Sequence, residues 1–321
     1  MQIFDQYTNI PKMARGAAIA MGNFDGVHRG HQLVIKSAAK AAQKLNAPLG
    51  VAVFKPHPRQ FFQPGVAPEH VQSDAARAKT LEALGVEFLF VLPFDRTMSL
   101  MGDETFVRDV LVKGLGIAHV SVGADFHYGR DRVGDTASLA RFGKTYDFGV
   151  DIVGLEGEAE EKFSSSAIRA ALKAGEPEKA ARILGRPWTM EGLVIRGQQR
   201  GRTIGVPTAN LSMNDYVRPR FGVYAGRARI DGRGAALPGV INVGVRPTVD
   251  GAEERLEIFL FDFAGDLYGR TLEVSLEHFI RDEKKFSGLE ALKVQIAEDI
   301  ETARTGLEQD SEVNREVDRT A

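Results

Sequence analysis

The chain has 321 residues, 43% of them hydrophobic and 26% charged, with a formal net charge of −2 and no cysteine. That length suggests two domains, and the near-neutral balance argues against a general attraction to nucleic acid. The lack of cysteine excludes a disulfide framework and Cys-ligated zinc or iron–sulfur centres.

The N-terminus, Met1-Gln2-Ile3-Phe4-Asp5-Gln6, lacks the basic stretch and apolar core of a signal peptide, and no apolar run reaches the length of a membrane span. A buried strand is predicted over Ala17–Met21, then a helix from Gly30 to about Leu45 with Leu33, Val34, Ala38, Ala41, Ala42 and Leu45 facing inward. Strands follow at Leu49–Phe54, Phe88–Leu92, Ala118–Val122 and Gly149–Val153, with helices around Asp74–Leu84 and from Asp103 between them. Strands alternating with helices imply a parallel sheet with helices on both faces, a fold that binds ligands beyond the C-terminal strand ends.

After about Leu184 the pattern changes to short strands broken by Gly and Pro: Met190–Arg196, Gly222–Ile230, Gly239–Val243, Arg255–Phe261 and Thr271–Phe279. This reads as a compact antiparallel barrel. A helix is predicted from Gly288 to about Arg304, with Leu289, Leu292, Ile296 and Ile300 on one face, and a polar tail from Gln309. The expected domains are therefore 1–184 and 185–308, with 309–321 as the tail.

Several segments carry chemistry. His28-Arg29-Gly30-His31 stands where a loop enters a helix, and helix N-termini attract phosphate. Gly22, Gly26 and Gly30 permit close backbone approach there. The loop from Gly123 to Gly134 follows the fourth strand and carries Asp125, while Ser164-Ser165-Ser166 with Arg169 reads, taken alone, as a helix N-cap and a surface charge. Gly197, Gly201 and Gly205, around Arg200 and Arg202, can lay amides against phosphate, although the spacing is not that of a P-loop. Thr208 and Asn210 are oxygen donors suited to magnesium, or simply part of a turn. Glu257 is an acid inside the apolar strand Leu256–Phe261, either a solvated edge residue or a base aimed into a site.

Gly22-Asn23-Phe24-Asp25-Gly26-Val27-His28-Arg29-Gly30-His31, Phe54-Lys55-Pro56-His57-Pro58, the Asp125-Phe126 loop and Ser164-Ser165-Ser166-Ala167-Ile168-Arg169 resemble the FMN adenylyltransferase module of bacterial FAD synthetases. Lys55 stands where that family commonly has an acid, Ser166 where Thr is usual, and His127-Tyr128 where Arg-Phe is frequent. Residues 192–211, Gly222-Val223-Tyr224-Ala225, Asn242–Thr248 and Asp266-Leu267-Tyr268-Gly269 resemble riboflavin kinase. Together they resemble bifunctional riboflavin kinase/FMN adenylyltransferases across almost the whole chain. The resemblance implies a Rossmann-like α/β nucleotidylyltransferase domain, then an antiparallel β-barrel kinase domain with a C-terminal helix.

It also implies ATP as co-substrate, Mg2+, and riboflavin, FMN and FAD as substrates and products, with no nucleic acid, no membrane, a cytoplasmic setting, and a monomer or weak homo-oligomer. Glu257 is implied as the kinase base, with Thr208 and Asn210 on the metal and Gly197, Gly201, Arg202 and Gly205 on ATP. His28, His31 and Arg169 are implied as catalytic in adenylylation, with Gly22, Asn23, Gly30, Asp125, Ser164 and Ser165 on phosphate. Pro56, Pro58 and Phe62 are candidates for the flavin wall, because a fused ring needs flat apolar surface. The alternatives are a kinase with an inactive adenylyltransferase module, a flavin-binding regulator, or a nucleotidylyltransferase for another acceptor.

Overall fold

Short runs of small apolar residues can be buried on both sides only when helices cover both faces of their sheet. The computed structural model, which describes residues 1–154, 163–196, 205–248 and 251–320, contains such a sheet in its first half. The chain forms two compact units, one of residues 1–68 and 74–164, the other of residues 69–73 and 165–321.

In the first unit, β1 (Gln2–Phe4), β2 (Ala18–Met21), β3 (Leu49–Lys55), β4 (Phe88–Pro93), β5 (His119–Gly123) and β6 (Gly149–Val153) lie in the order β1-β4-β3-β2-β5-β6. All the pairings are parallel. Alternate residues of one strand serve opposite faces. Ile19 and Met21 join one apolar cluster with Phe90, Val120 and Val122, whereas Ala18 and Ala20 join the other with Val51, Val53 and Leu89. The helices used below are α1 (Arg29–Leu45), α2 (Pro58–Phe62) and α3 (Asp74–Ala83).

α1 buries Val34, Ile35, Ala38, Ala41 and Ala42, but Leu45 is 52% exposed. The expected inward face therefore overran by one residue, because Asn46 takes a left-handed conformation (φ 49°) and ends the helix there. The edge strand β1 was not anticipated; three largely exposed residues leave no periodic signal.

In the second unit, β7 (Trp188–Leu193), β8 (Ala209–Ser212), β9 (Gly222–Ile230), β10 (Arg233–Thr248), β11 (Gly251–Leu260) and β12 (Thr271–Asp282) form one sheet in the order β7-β12-β9-β10-β11-β8. Its pairings are antiparallel. The sheet curls until its edges meet, where the Ile195 N–H donates to the Asn210 carbonyl at 2.9 Å. Asp231-Gly232, both at positive φ, turn β9 into β10.

Two further helices, α4 (Ser165–Ala174) and α5 (Pro177–Leu184), belong to this unit. Residues 69–73 join it as well: His70 bridges to Tyr216, and the Trp188 indole donates to the Val71 carbonyl at 2.8 Å. The last helix, α6 (Leu289–Thr320), continues through the stretch that the sequence marks as a tail. Its apolar stripe reaches Ala303 and Leu307, which pack with Phe259, Phe261, Val240 and Ala225 on the sheet.

Candidate active sites

In the first unit, the order of strands reverses between β2 and β5. Such a reversal leaves a crevice at the carboxyl ends of the strands. The loop from Gly22 to His28 leaves β2 at that point and enters α1. Phe24 (φ 51°), Gly26 (φ 86°) and Val27 (φ 43°) all take left-handed backbone. For the β-branched Val27 this is strained, at a cost on the order of 1–3 kcal/mol. Burial of Phe24 and Val27 within the α1-side core offsets it. The strain is spent shaping the turn that aims α1 and its cap.

His28 is the N-cap of α1: its Nδ1 accepts the His31 N–H at 3.3 Å. A neutral His28 consequently carries its proton on Nε2. The His28 and His31 rings stack at 3.5 Å, with Phe24 5.0 Å from His31. A Cβ on Gly30 would stand 3.3 Å from both the His28 ring and the Phe163 carbonyl, so glycine is what lets these three groups close up. Burial foremost, then the neighbouring His28 and Arg77, hold His31 well below the usual imidazole range. It is neutral at pH 7, and its Nδ1 is buried with no hydrogen-bond partner among the described residues.

His28, Gly30 and His31 are thus brought together at one helix N-terminus, and Gly22 and Asn23 lie on the loop that leads into it. The Phe163 ring lies under the Arg29 guanidinium at 5.3 Å, which carries the adjoining Ser164 to the same end of α1. Asp125 is exposed on the loop after β5, the strand next to β2. Ser165 and Arg169 stand on α4 of the second unit, where the Arg169 Nε donates to the Glu69 carbonyl at 2.6 Å.

Pro56 and Pro58 flank the start of α2, and Phe62 at its end is 64% exposed. Phe61, Phe62 and Phe94 meet edge to face with centroids 5.2–5.9 Å apart, an apolar platform open to solvent. Lys55, placed where an acid was expected, pairs with Asp74 at 2.7 Å.

The second unit builds a different kind of site. Register places Glu257 of β11 opposite Asn210 of β8 on one side and Asn242 of β10 on the other. Cross-strand partners share a face, so three oxygen-bearing side chains form a row across the sheet. The intervening Leu256 and Ile258 are buried and point the other way. Asn210 is only 5% exposed, Glu257 is half-buried and Asn242 is exposed, so the row runs from interior to solvent. Thr208 precedes β8, half-buried. Glu283, just past β12, closes over Gly244, where a Cβ would lie 2.0 Å from its carboxylate and 3.4 Å from the Asn242 amide nitrogen. Gly205 is described, in left-handed backbone (φ 82°), whereas Gly197, Gly201 and Arg202 lie outside the described residues.

Sequence reading did not anticipate Arg77 or the placement of Asn242 beside Glu257. Arg77 lies in a helix without a motif, and cross-strand register is visible only once strands pair. No cluster of three or more acidic, His or Cys side chains that could hold a metal occurs among the described residues. No helix among them is long and apolar enough to cross a membrane.

Two family models match the chain: FAD synthetase over residues 10–167 and riboflavin kinase over residues 184–307. The bifunctional riboflavin kinase/FMN adenylyltransferase of Pseudomonas fluorescens is 41% identical, covering 95% of this chain and 97% of the relative. That of Escherichia coli K12 is 39% identical, covering 90% and 92%. A solved Streptococcus pneumoniae structure, described as a macrolide-efflux protein, superposes with a TM-score of 0.85 at 32% identity, covering 94% of this chain and 98% of that one.

Proposed function

The chain belongs to the bifunctional riboflavin kinase/FMN adenylyltransferase family, and we propose that it converts riboflavin to FAD in two ATP-dependent steps, one at each site. The observation that carries this reading is the coexistence in one chain of a donor-rich helix N-terminus and a carboxylate flanked by amides.

At the kinase site, the Glu257 carboxylate takes the proton of the riboflavin 5′-hydroxyl as that oxygen attacks the γ-phosphorus of ATP. The bond from the γ-phosphorus to its bridging oxygen breaks and ADP leaves. Asn210 and Asn242 on either side hold the hydroxyl and phosphate in line, which is most of what phosphoryl transfer requires. Thr208 and Asn210 are hard oxygen donors of the kind Mg2+ accepts, in the small number it takes when phosphates and water complete its shell. Bound there, the ion would neutralise charge on the phosphates. Gly197, Gly201, Arg202 and Gly205 are assigned to the ATP phosphates.

At the adenylyl-transfer site, an FMN phosphate oxygen attacks the α-phosphorus of a second ATP, and pyrophosphate leaves. His28 donates from Nε2 to the charge growing on phosphate oxygens. Neutral His31 supports it, together with Arg169, Ser164, Ser165 and the α1 N-terminus. Gly22, Asn23 and Gly30 allow the phosphates close approach, Asp125 contacts ATP, and Pro56, Pro58 and Phe62 face the flavin ring. The reading keeps Mg2+ as the divalent ion, a cytoplasmic setting, and a monomer or weak homo-oligomer.

The test is chromatography of flavins after incubating the protein with riboflavin, ATP and Mg2+. FMN followed by FAD is expected. FMN alone would leave a kinase with a silent second site, and bound riboflavin without product would replace the reading with a flavin-binding regulator.

A further inference from the structure

Arg77 lies on α3, outside every motif discussed above. Its side chain is 12% exposed, little for a guanidinium. One terminal nitrogen pairs with Asp74 at 2.8 Å, and the other points to the Asn23 carbonyl at 3.4 Å. Its Nε is buried with no partner among the described residues. A buried charge with one ion-pair partner and an unsatisfied N–H is costly unless it serves something nearby. What lies nearby is the strained Gly22–His28 loop and the unpartnered Nδ1 of His31.

We propose that Arg77 is a positioning residue for adenylyl transfer: anchored on Asp74, it braces Asn23 and so holds the Gly22–His28 loop in the shape that presents His28 and His31 to phosphate. The proposal rests on the adenylyltransferase reading of that site. Two consequences follow from its placement. Burial foremost and then His28 hold the His31 ring neutral, and the fixed positive charge of Arg77 adds to them by opposing a second charge there. Its anchoring on Asp74 also ties in Lys55, the second cation on that carboxylate. Among the described residues, the charged or titratable groups that act on His31 are His28 on the loop and Arg77 from α3.

The experiment compares Arg77→Met and Arg77→Lys with the unaltered chain. FMN adenylylation, riboflavin phosphorylation and the NMR titration of the His31 ring are each measured. Arg77→Met is expected to lower kcat for adenylylation by roughly 10- to 100-fold, the scale of a small misplacement of reacting groups, with KM for ATP nearly unchanged. The His31 pKa should rise, and kinase turnover should hold. Arg77→Lys keeps the charge, so the His31 titration should stay low and part of kcat return.

Adenylylation within threefold of the unaltered chain in Arg77→Met, or a His31 titration that does not move, would overturn the proposal. Equal loss of kinase and adenylylation in both variants would overturn it too, by making Arg77 a general support of the fold. If the unaltered chain formed no FAD, the reading of the activity would fall, and the His31 titration would still decide the role of Arg77.

Discussion

On the proposed reading, the two sites handle phosphate with opposite materials. The first unit offers positive ends: a helix N-terminus, a histidine that caps it through Nδ1, and a guanidinium behind them. The second offers oxygen: a carboxylate between two amides on one sheet face, with Glu283 over Gly244 beside them. A site rich in donors can stabilise charge developing on phosphate by itself. A site rich in oxygens repels phosphate unless a cation stands between them, and it suits the removal of a proton from a neutral hydroxyl. The contrast matches the two nucleophiles, since an FMN phosphate arrives already charged whereas the riboflavin hydroxyl must lose its proton.

The largest effect that would sharpen this contrast comes from Glu257→Ala. Riboflavin phosphorylation should fall by about 10³-fold while FAD still forms from supplied FMN, both followed by product chromatography. Loss of both activities in a folded protein would break the division of labour. His28→Ala should do the reverse, lowering adenylylation by roughly 10²- to 10³-fold and sparing the kinase. Next is Gly30→Ala, whose new methyl would press on the His28 ring and the Phe163 carbonyl at 3.3 Å. A drop of about tenfold in adenylylation kcat is expected, with little loss of stability by thermal melting.

The smallest effect concerns the helix that covers the second sheet. His278 bonds Glu178 at 2.9 Å and Asp310 at 2.7 Å, tying β12 to α5 and α6. Burial pushes its pKa down, but the bonds to Asp310 and Glu178 outweigh that and raise it above the usual imidazole value. A raised folded-state pKa stabilises the fold fully below the unfolded value near 6.5 and loses that contribution as pH rises through the folded value. His278→Gln should therefore cost about 0.5 kcal/mol at pH 5.5, after allowance for solvent screening, and less at pH 9. Thermal melts of both proteins at the two pH values would check it.

Much of this was legible before folding. Gly149–Val153 and Gly222–Ile230 occur as strands at the bounds the sequence predicts, because alternation and flanking glycines mark them. The His28–His31 helix start was equally plain, since capping is a local matter of a few residues. β8 was not: Pro207-Thr208-Ala209-Asn210 reads as a turn, and only pairing with β11 makes its second half a strand. Arg77 escaped notice because a lone arginine on a helix ordinarily faces water.

The sequence by itself determined that the chain carries the motifs of two families, a parallel α/β half and a later antiparallel half. Each of these is written in local periodicity, turn residues and glycine spacing. Tertiary structure alone decided that Asn210, Glu257 and Asn242 share one row, that Arg77 backs the Gly22–His28 loop, and that His31 is neutral. Those facts depend on register and burial, which arise between segments distant in the chain and leave no trace in the spacing of neighbours.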